Sequence, residues 1–249
     1  MSFLDFIFPK RCVNCKKQGE YLCQNCFIFL SFDVKNLCLV CDKPSFNNLT
    51  HPVCCRKYSI DGCFSALTYN KTTQKLIYNF KYKPYLKDLT TVLTDLFYES
   101  IIQNENLAKL MADGTPARNA SLSSASVAGG WLVVPIPLSN SKLKKRGYNQ
   151  SEILARELSK KFNLPFENIL QRSKNTVSQV GLSNIKRKEN IKDAFELNSS
   201  FIINHSSLKN ASIFLVDDVV TTGSTLKEAA KVLKKNGVKR VIGLTLARD

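Results

Sequence analysis

Two stretches of this chain hold residue types whose spacing could do chemistry, and the first is a run of cysteines. All nine lie between Cys12 and Cys63, and the remainder of the 249 residues has none. "CVNC" (Cys12, Cys15) and "CQNC" (Cys23, Cys26) are C-x-x-C pairs, each able to turn two thiolates to one face of a tight knuckle. Together they complete a tetrahedral S4 site for structural zinc, Zn²⁺. "CLVC" (Cys38, Cys41) is a third pair, and "HPVCC" supplies His51, Cys54 and Cys55. A second zinc site on Cys38, Cys41, Cys54 and Cys55 follows. Adjacent cysteines cannot form a C-x-x-C knuckle, however, so its fourth ligand stays open between either thiol, His51 and none. A disulfide framework would need an oxidising compartment, which no secretory signal supports. Cys63, in "DGCFSALTY", reads as a small core residue at the start of a strand.

The second stretch is "IFLVDDVVTTGSTLKEAAKVL", residues 213–233. Ile213 to Val216 form the apolar run of a strand covered on both faces, which puts Asp217 and Asp218 at its carboxyl end. "TTGST" must then turn at once into a helix carrying Leu226, Ala229, Ala230 and Leu233. Backbone N–H groups at a helix N-terminus, with the dipole behind them, suit a phosphate. Gly223 removes a Cβ that would block close approach, and the hydroxyls of Thr221, Thr222, Ser224 and Thr225 can donate to phosphate oxygens. Two carboxylates just upstream can accept hydrogen bonds from a vicinal diol. A ribose 5-phosphate is the ligand this suggests. The plainer reading is that Ser224 caps the helix while the acids offset positive charge.

Stepping outward, the elements that must position these groups alternate. "FSALTY", "WLVVPIP", "SIFLVDDV" and "RVIGLTLA" read as strands; "TTQKLIYNFKYK" reads as a helical turn. "PYLKDLTTVLTDLFYESIIQ" is a helix with Leu86, Leu89, Leu93, Leu96 and Phe97 on one stripe, and "SEILARELSKKFNL" and "STLKEAAKVLKKNG" are further helices. "LSNSKLKKRGYNQ" reads as a basic loop, and the region from Arg172 to Leu197 as a mobile loop or hood. Alternation of this kind gives an α/β parallel sheet flanked by helices, with ligands at the carboxyl ends of the strands. We divide the chain into a cysteine-rich module, 1–63, and an α/β domain, 64–249. The latter is interrupted by 111–130, which is rich in Gly, Ala and Ser, lacks lysine and reads as a flexible linker or an engineered join.

Composition is globular, 44% hydrophobic and 22% charged, with no run long enough to insert in a membrane. The opening residues do not form a signal peptide, so the expectation is a cytoplasmic protein. Thirty-six Lys plus Arg against 20 Asp plus Glu give +16, a field that attracts polyanions. Solvated basic faces are the alternative.

"FLVDDVVTTGST" resembles the phosphoribosyl pyrophosphate (PRPP) signature of type I phosphoribosyltransferases. With "VVPIPLSNSKLKKRGYNQS", "QVGLSNIKRKENIKDAF" and the tandem C-x-x-C start, the chain is similar to the ComF family of competence proteins, which join a zinc-ribbon segment to a phosphoribosyltransferase-like domain. The resemblance implies that Asp217 and Asp218 hold ribose hydroxyls and that Thr221, Thr222, Gly223, Ser224 and Thr225 hold the 5-phosphate, with Mg²⁺ accompanying PRPP. It implies further that the loop from Ser139 to Arg146 approaches the pyrophosphate, whose charge Lys81, Lys144, Lys145 and Arg146 could neutralise. Natural transformation is the implied pathway, with single-stranded DNA and a DNA-translocating helicase as partners. Lys83, Tyr148, Arg172, Lys186, Arg187 and Lys188 are the candidate DNA contacts, and Tyr78, Tyr82 and Tyr85 could stack bases. The alternatives are an active phosphoribosyltransferase with an unidentified acceptor and a PRPP-sensing regulator.

Overall fold

Ile213, Phe214, Leu215 and Val216 alternate between two separate apolar clusters. Phe214 and Val216 pack into one, Ile213 and Leu215 into the other. In the computed structural model, which describes residues 9–83, 87–112, 130–173, 191–199 and 208–249, this run is the centre of strand β5, Ser212–Val220. The strand lies in a four-stranded sheet of order β1-β6-β5-β2, with β1 Gly62–Thr68, β2 Trp131–Pro135 and β6 Arg240–Arg248. All three pairings are parallel. Helices accordingly lie in each connection between successive strands of this sheet, as parallel pairing requires.

On one face lie α1 Lys71–Tyr82, α2 Lys87–Ile102, α3 Glu105–Ala112 and, after β2, α5 Gln150–Phe162. Leu76, Ile77, Leu89, Leu93, Phe97, Leu154 and Leu158 bury the apolar stripes of these helices. Trp131 stacks on Phe214 at 4.0 Å between ring centroids, and its indole N–H donates to the Leu110 carbonyl at 3.2 Å, so a large ring is buried without leaving its polar atom unpaired. The other face is covered by α6, Ser224–Lys235, through Leu226, Ala229, Ala230 and Leu233. A small antiparallel pair, β3 Leu170–Arg172 with β4 Phe195–Leu197, lies beside it.

Three local readings are corrected. The "basic loop" after β2 contains a helix, α4 Asn140–Arg146, with Ser139 at its N-cap and Gly147 at φ 79° closing it, a stop that glycine adopts without strain. Two ends of the presumed hood form the β3–β4 pair. Met111 lies in the last turn of α3 and packs against the core, so the linker reading does not hold for that residue; residues 113–129 lie outside the described residues, as do Leu86 and Tyr85.

Before β1 the chain makes two knuckles. At each, the first cysteine's amide donates to the carbonyl five residues on (Cys12 to Lys17, Cys38 to Lys43), and its carbonyl accepts from the amide four residues on (Lys16, Asp42). Lys16 and Asp42 hold positive φ, 69° and 58°. Neither knuckle stands apart from the sheet. Cys12, Val13, Cys23 and Cys26 pack into the first cluster, and Leu39 into the second.

Candidate functional site

β5 does not end at the acidic pair. It continues through Val220, with Asp217 paired to Thr245 and Val220 to Arg248, so the two carboxylates lie within its last turn of pleat rather than beyond it. Asp218 is 4% exposed. Consecutive strand residues turn to opposite sides, and the first turn of α5 reaches both. Gln150 Nε2 donates to Asp218 Oδ2 at 2.6 Å, and Ser151 Oγ donates to Asp217 Oδ1 at 2.9 Å. The same Asp217 oxygen accepts from the Asp218 amide at 2.9 Å. Lys81 Nζ, from the end of α1, pairs with Asp218 Oδ1 at 2.8 Å. Burial first, and then the neighbouring Asp218 carboxylate, push Asp217 up to about 7, against the opposing pull of its hydrogen bonds and Lys81.

Gln150 and Ser151 were missed by sequence reasoning, although a signal existed. Asn149 is an N-cap residue whose Oδ1 accepts from the Ser151 amide at 3.1 Å, and its Nδ2 donates to the Ile136 carbonyl after β2 at 3.0 Å. Recognising that cap would have put Gln150 and Ser151 at the mouth of the helix, facing the strand ends.

The turn from β5 to α6 runs Thr221–Thr222–Gly223. Gly223, not Ser224, occupies the N-cap, at φ 64° and with no side-chain cap bond. Thr222 Oγ1 and Ser224 Oγ lie 2.8 Å apart, bringing two hydroxyls to one point of the turn. The space that a Cβ at Gly223 would fill is taken by Leu39, whose Cδ1 would lie 2.4 Å away and Cγ 2.5 Å. Glycine is thus required by its backbone angle and by a side chain from the cysteine-rich segment.

The cationic candidates divide. Lys81 sits on the acidic pair. Arg146 Nη1 donates to Gln150 Oε1 at 2.9 Å and Nη2 to the Tyr82 hydroxyl at 3.3 Å, with its guanidinium 5.1 Å from the Tyr82 ring centre. Lys142 was not anticipated. Burial, followed by the charges of Arg172, Arg146 and Lys81, pulls its ammonium below the ordinary lysine value, as expected where cations crowd one place. Lys144 and Lys145 are exposed, while Ser139 is buried, its hydroxyl 3.2 Å from that of Ser141. Arg172 lies with its guanidinium 5.3 Å from the Phe195 ring centre.

Beside this network is a cavity of about 320 Å³ lined by Phe80, Lys83, Thr90, Arg146, Gly147, Tyr148 and Ile153. Two residues singled out as nucleic-acid contacts, Lys83 and Tyr148, meet there. The Tyr148 hydroxyl donates to the Phe80 carbonyl. Lys186, Arg187 and Lys188 lie outside the described residues.

Among the described residues two groups gather metal-binding atoms, Cys12–Cys15–Cys23–Cys26 and Cys38–Cys41–His51–Cys54, all within 4.8 Å of one another in each. Tetrahedral zinc with its usual bond lengths puts sulfurs about 3.8 Å apart, and a sulfur and an imidazole nitrogen about 3.5 Å apart. Cys15 and Cys23 Sγ are separated by 3.6 Å, and Cys41 Sγ and His51 Nδ1 by 3.4 Å. Both groups fit zinc.

Of the alternatives left open for the second group, the geometry gathers His51 with Cys54 and leaves out exposed Cys55. "HPVC" repeats the spacing of "CQNC", and its backbone repeats the turn: Cys26 donates to the Cys23 carbonyl and Cys54 to that of His51, each at 2.9 Å. His51 Nε2 is 2.8 Å from the Pro44 carbonyl, to which it donates, leaving Nδ1 as the ligand atom. Burial would raise the Cys12 and Cys38 thiols, yet backbone hydrogen bonds at each knuckle bring them down to about 6 and about 7, favouring the thiolate that a metal needs.

Comparison with known proteins agrees with this two-part arrangement. A phosphoribosyl transferase domain matches residues 148–249, and a double zinc ribbon domain matches residues 3–58. Competence protein F of Haemophilus influenzae is 40% identical over 117 residues, 47% of this chain and 49% of that protein. DNA utilization protein YhgH of Escherichia coli K12 is 36% identical over 110 residues, 44% of this chain and 45% of its own length. The chain thus matches about half the length of these two. Competence protein ComFC of Bacillus subtilis is 25% identical over 245 residues, covering 94% of this chain and 86% of that protein. No helix among the described residues is long and apolar enough to cross a membrane.

Proposed function

We infer from these matches that the chain is a ComF-type competence protein, and from that premise we propose that it acts in DNA uptake, binding PRPP at the β5–α6 turn and single-stranded DNA beside it. The observation that carries this reading is the joint hold on Asp217 and Asp218. Ser151, Gln150 and Lys81 fix both carboxylates immediately before a turn that opens a helix without a side-chain cap. The acids take the ribose hydroxyls, and the turn from Thr221 to Thr225 takes the 5-phosphate through amides and hydroxyls. Arg146, Lys142 and Lys81 offer charge to the pyrophosphate. Mg²⁺ characteristically binds one or two carboxylates together with phosphate oxygens, and Asp217, whose hydrogen bonds come from a hydroxyl and an amide, is the carboxylate we assign to it.

The DNA reading rests on surface chemistry. Tyr78 and Tyr82, 58% and 45% exposed, bring their rings within 5.0 Å of each other next to Arg146, and the cavity holding Lys83 and Tyr148 adjoins them. Aromatic faces between cations suit successive bases of a single strand. Such a role would place the protein in the cytoplasm, where an imported strand arrives.

Calorimetry with Mg²⁺ and PRPP, with and without an oligodeoxythymidine, tests the reading. PRPP should bind, and replacing both Asp217 and Asp218 by Asn should abolish the heat signal while leaving the circular dichroism spectrum unchanged. Unchanged affinity in that variant overturns the assignment. Release of pyrophosphate on adding candidate acceptors would instead make the protein a transferase.

A further inference from the structure

Leu39 occupies an unusual place for a residue inside a metal knuckle. It lies between two ligands, Cys38 and Cys41, yet it is fully buried and packs into the cluster that contains Leu215, Val220 and Leu226 of the β5–α6 unit. Its side chain fills the space beside Gly223 that any other residue's Cβ would need. Its carbonyl accepts from Lys227 Nζ at 2.9 Å, and the Lys227 amide donates to the Gly223 carbonyl at 2.9 Å, the first hydrogen bond of α6. Lys227 therefore ties the knuckle to the turn from one side while Leu39 wedges it from the other.

The first knuckle offers an internal comparison. Val13 holds the equivalent position after Cys12 and is also buried, but it packs into the opposite cluster. Among the described residues, the side chain against Gly223 of the β5–α6 turn comes from the second knuckle.

We propose that Leu39 is a positioning residue for the Thr221–Thr225 turn, so that occupancy of the Cys38–Cys41–His51–Cys54 site and anion affinity at the turn are coupled. This rests on the turn being the phosphate site. The physical reason is that a αL glycine at a helix start has several accessible backbone states, of which Leu39 admits the one that aims the helix's first amides outward. Leu39 in turn is held at the knuckle's apex by two ligands of the same metal. Coupling between sites is reciprocal, so a ligand on the turn should also retain the metal.

The experiment uses the full chain with Mg²⁺ and PRPP as the probe. Three variants, Leu39→Ala, Leu39→Met and Val13→Ala, are compared with the parent protein by calorimetry. Each is also assayed for bound zinc and for the rate at which a chelator withdraws it. Leu39→Ala should keep its zinc and weaken PRPP by about fivefold or more, the low end of ordinary coupling. Leu39→Met should restore most of the affinity, and Val13→Ala should match the parent. Saturating PRPP should slow withdrawal of one zinc and leave the other unchanged. Equal affinities in Leu39→Ala and the parent, or zinc withdrawal indifferent to PRPP, overturn the coupling. Absence of PRPP binding in the parent overturns the site assignment instead, so the two failures are distinguishable.

Discussion

Replacing Lys81 by Met should destabilise the protein more than its place at a helix end suggests. The Lys81 side chain is 20% exposed and that of Asp218 only 6%, so the substitution leaves a carboxylate out of water with Gln150 as its remaining side-chain donor. Orphaning one member of a buried pair costs about 3–5 kcal/mol, and the partial exposure of the lysine puts this pair near the lower figure, about 3 kcal/mol. The reverse change, Asp218→Asn, should cost about 1 kcal/mol, because Gln150 retains an acceptor and Lys81 can turn toward solvent. Together the two should cost about 1.5 kcal/mol, since no isolated charge remains, giving an interaction energy of about 2.5 kcal/mol. Urea denaturation at one zinc concentration, followed by circular dichroism, measures all four corners of the cycle. Simple additivity, or a Lys81→Met cost below about 0.5 kcal/mol, would refute the reasoning, since the pair would then be solvated in practice.

Three further outcomes are expected. Because Asp217 is raised to about 7 and must be ionised to accept sugar hydroxyls or Mg²⁺, PRPP should bind about tenfold more weakly at pH 6 than at pH 8, and Asp217→Asn should flatten that dependence beyond the ligand's own titration; without ligand, this group's contribution to stability should fall as pH rises from about 4 to about 7, because the folded state is the better proton binder. His51→Ala should lose one zinc by elemental analysis, whereas Cys55→Ser should lose none, and the opposite pattern would restore the four-thiol set. Replacing Lys83 by Ala should weaken oligodeoxythymidine binding and reduce the slope of log affinity against log salt by about 0.7; an unchanged slope would remove the cavity from the DNA path.

What could be read from the sequence follows the range of the interactions involved. The strand Ser212–Val220, the helix after it and the knuckle at Cys12–Cys26 are set by local patterns, an apolar run, a glycine turn and paired thiols, and all were legible. The second metal group was half legible: His51-x-x-Cys54 has C-x-x-C spacing, but the adjacent Cys55 drew attention to thiols. Helix α4 was obscured because four of its seven residues are basic, three Lys and one Arg, and hide the Ser139 and Gly147 punctuation. The lock between Lys81 and Asp218 and the wedge of Leu39 against Gly223 join residues more than a hundred positions apart, and no local pattern announces such a meeting.

The order of the sheet has a bearing on how the protein is made. β1 has β6 as its strand partner, and the Ser65 and Thr245 hydroxyls that meet across them are 180 residues apart in the chain. At about 5–20 residues per second of translation, the first strand emerges from the ribosome roughly ten to forty seconds before its mate exists. Until then the apolar partners already made for it are the cysteine knuckle residues Cys12, Val13, Cys23 and Cys26, which share a cluster with Phe64, Ala66 and Leu67 of β1.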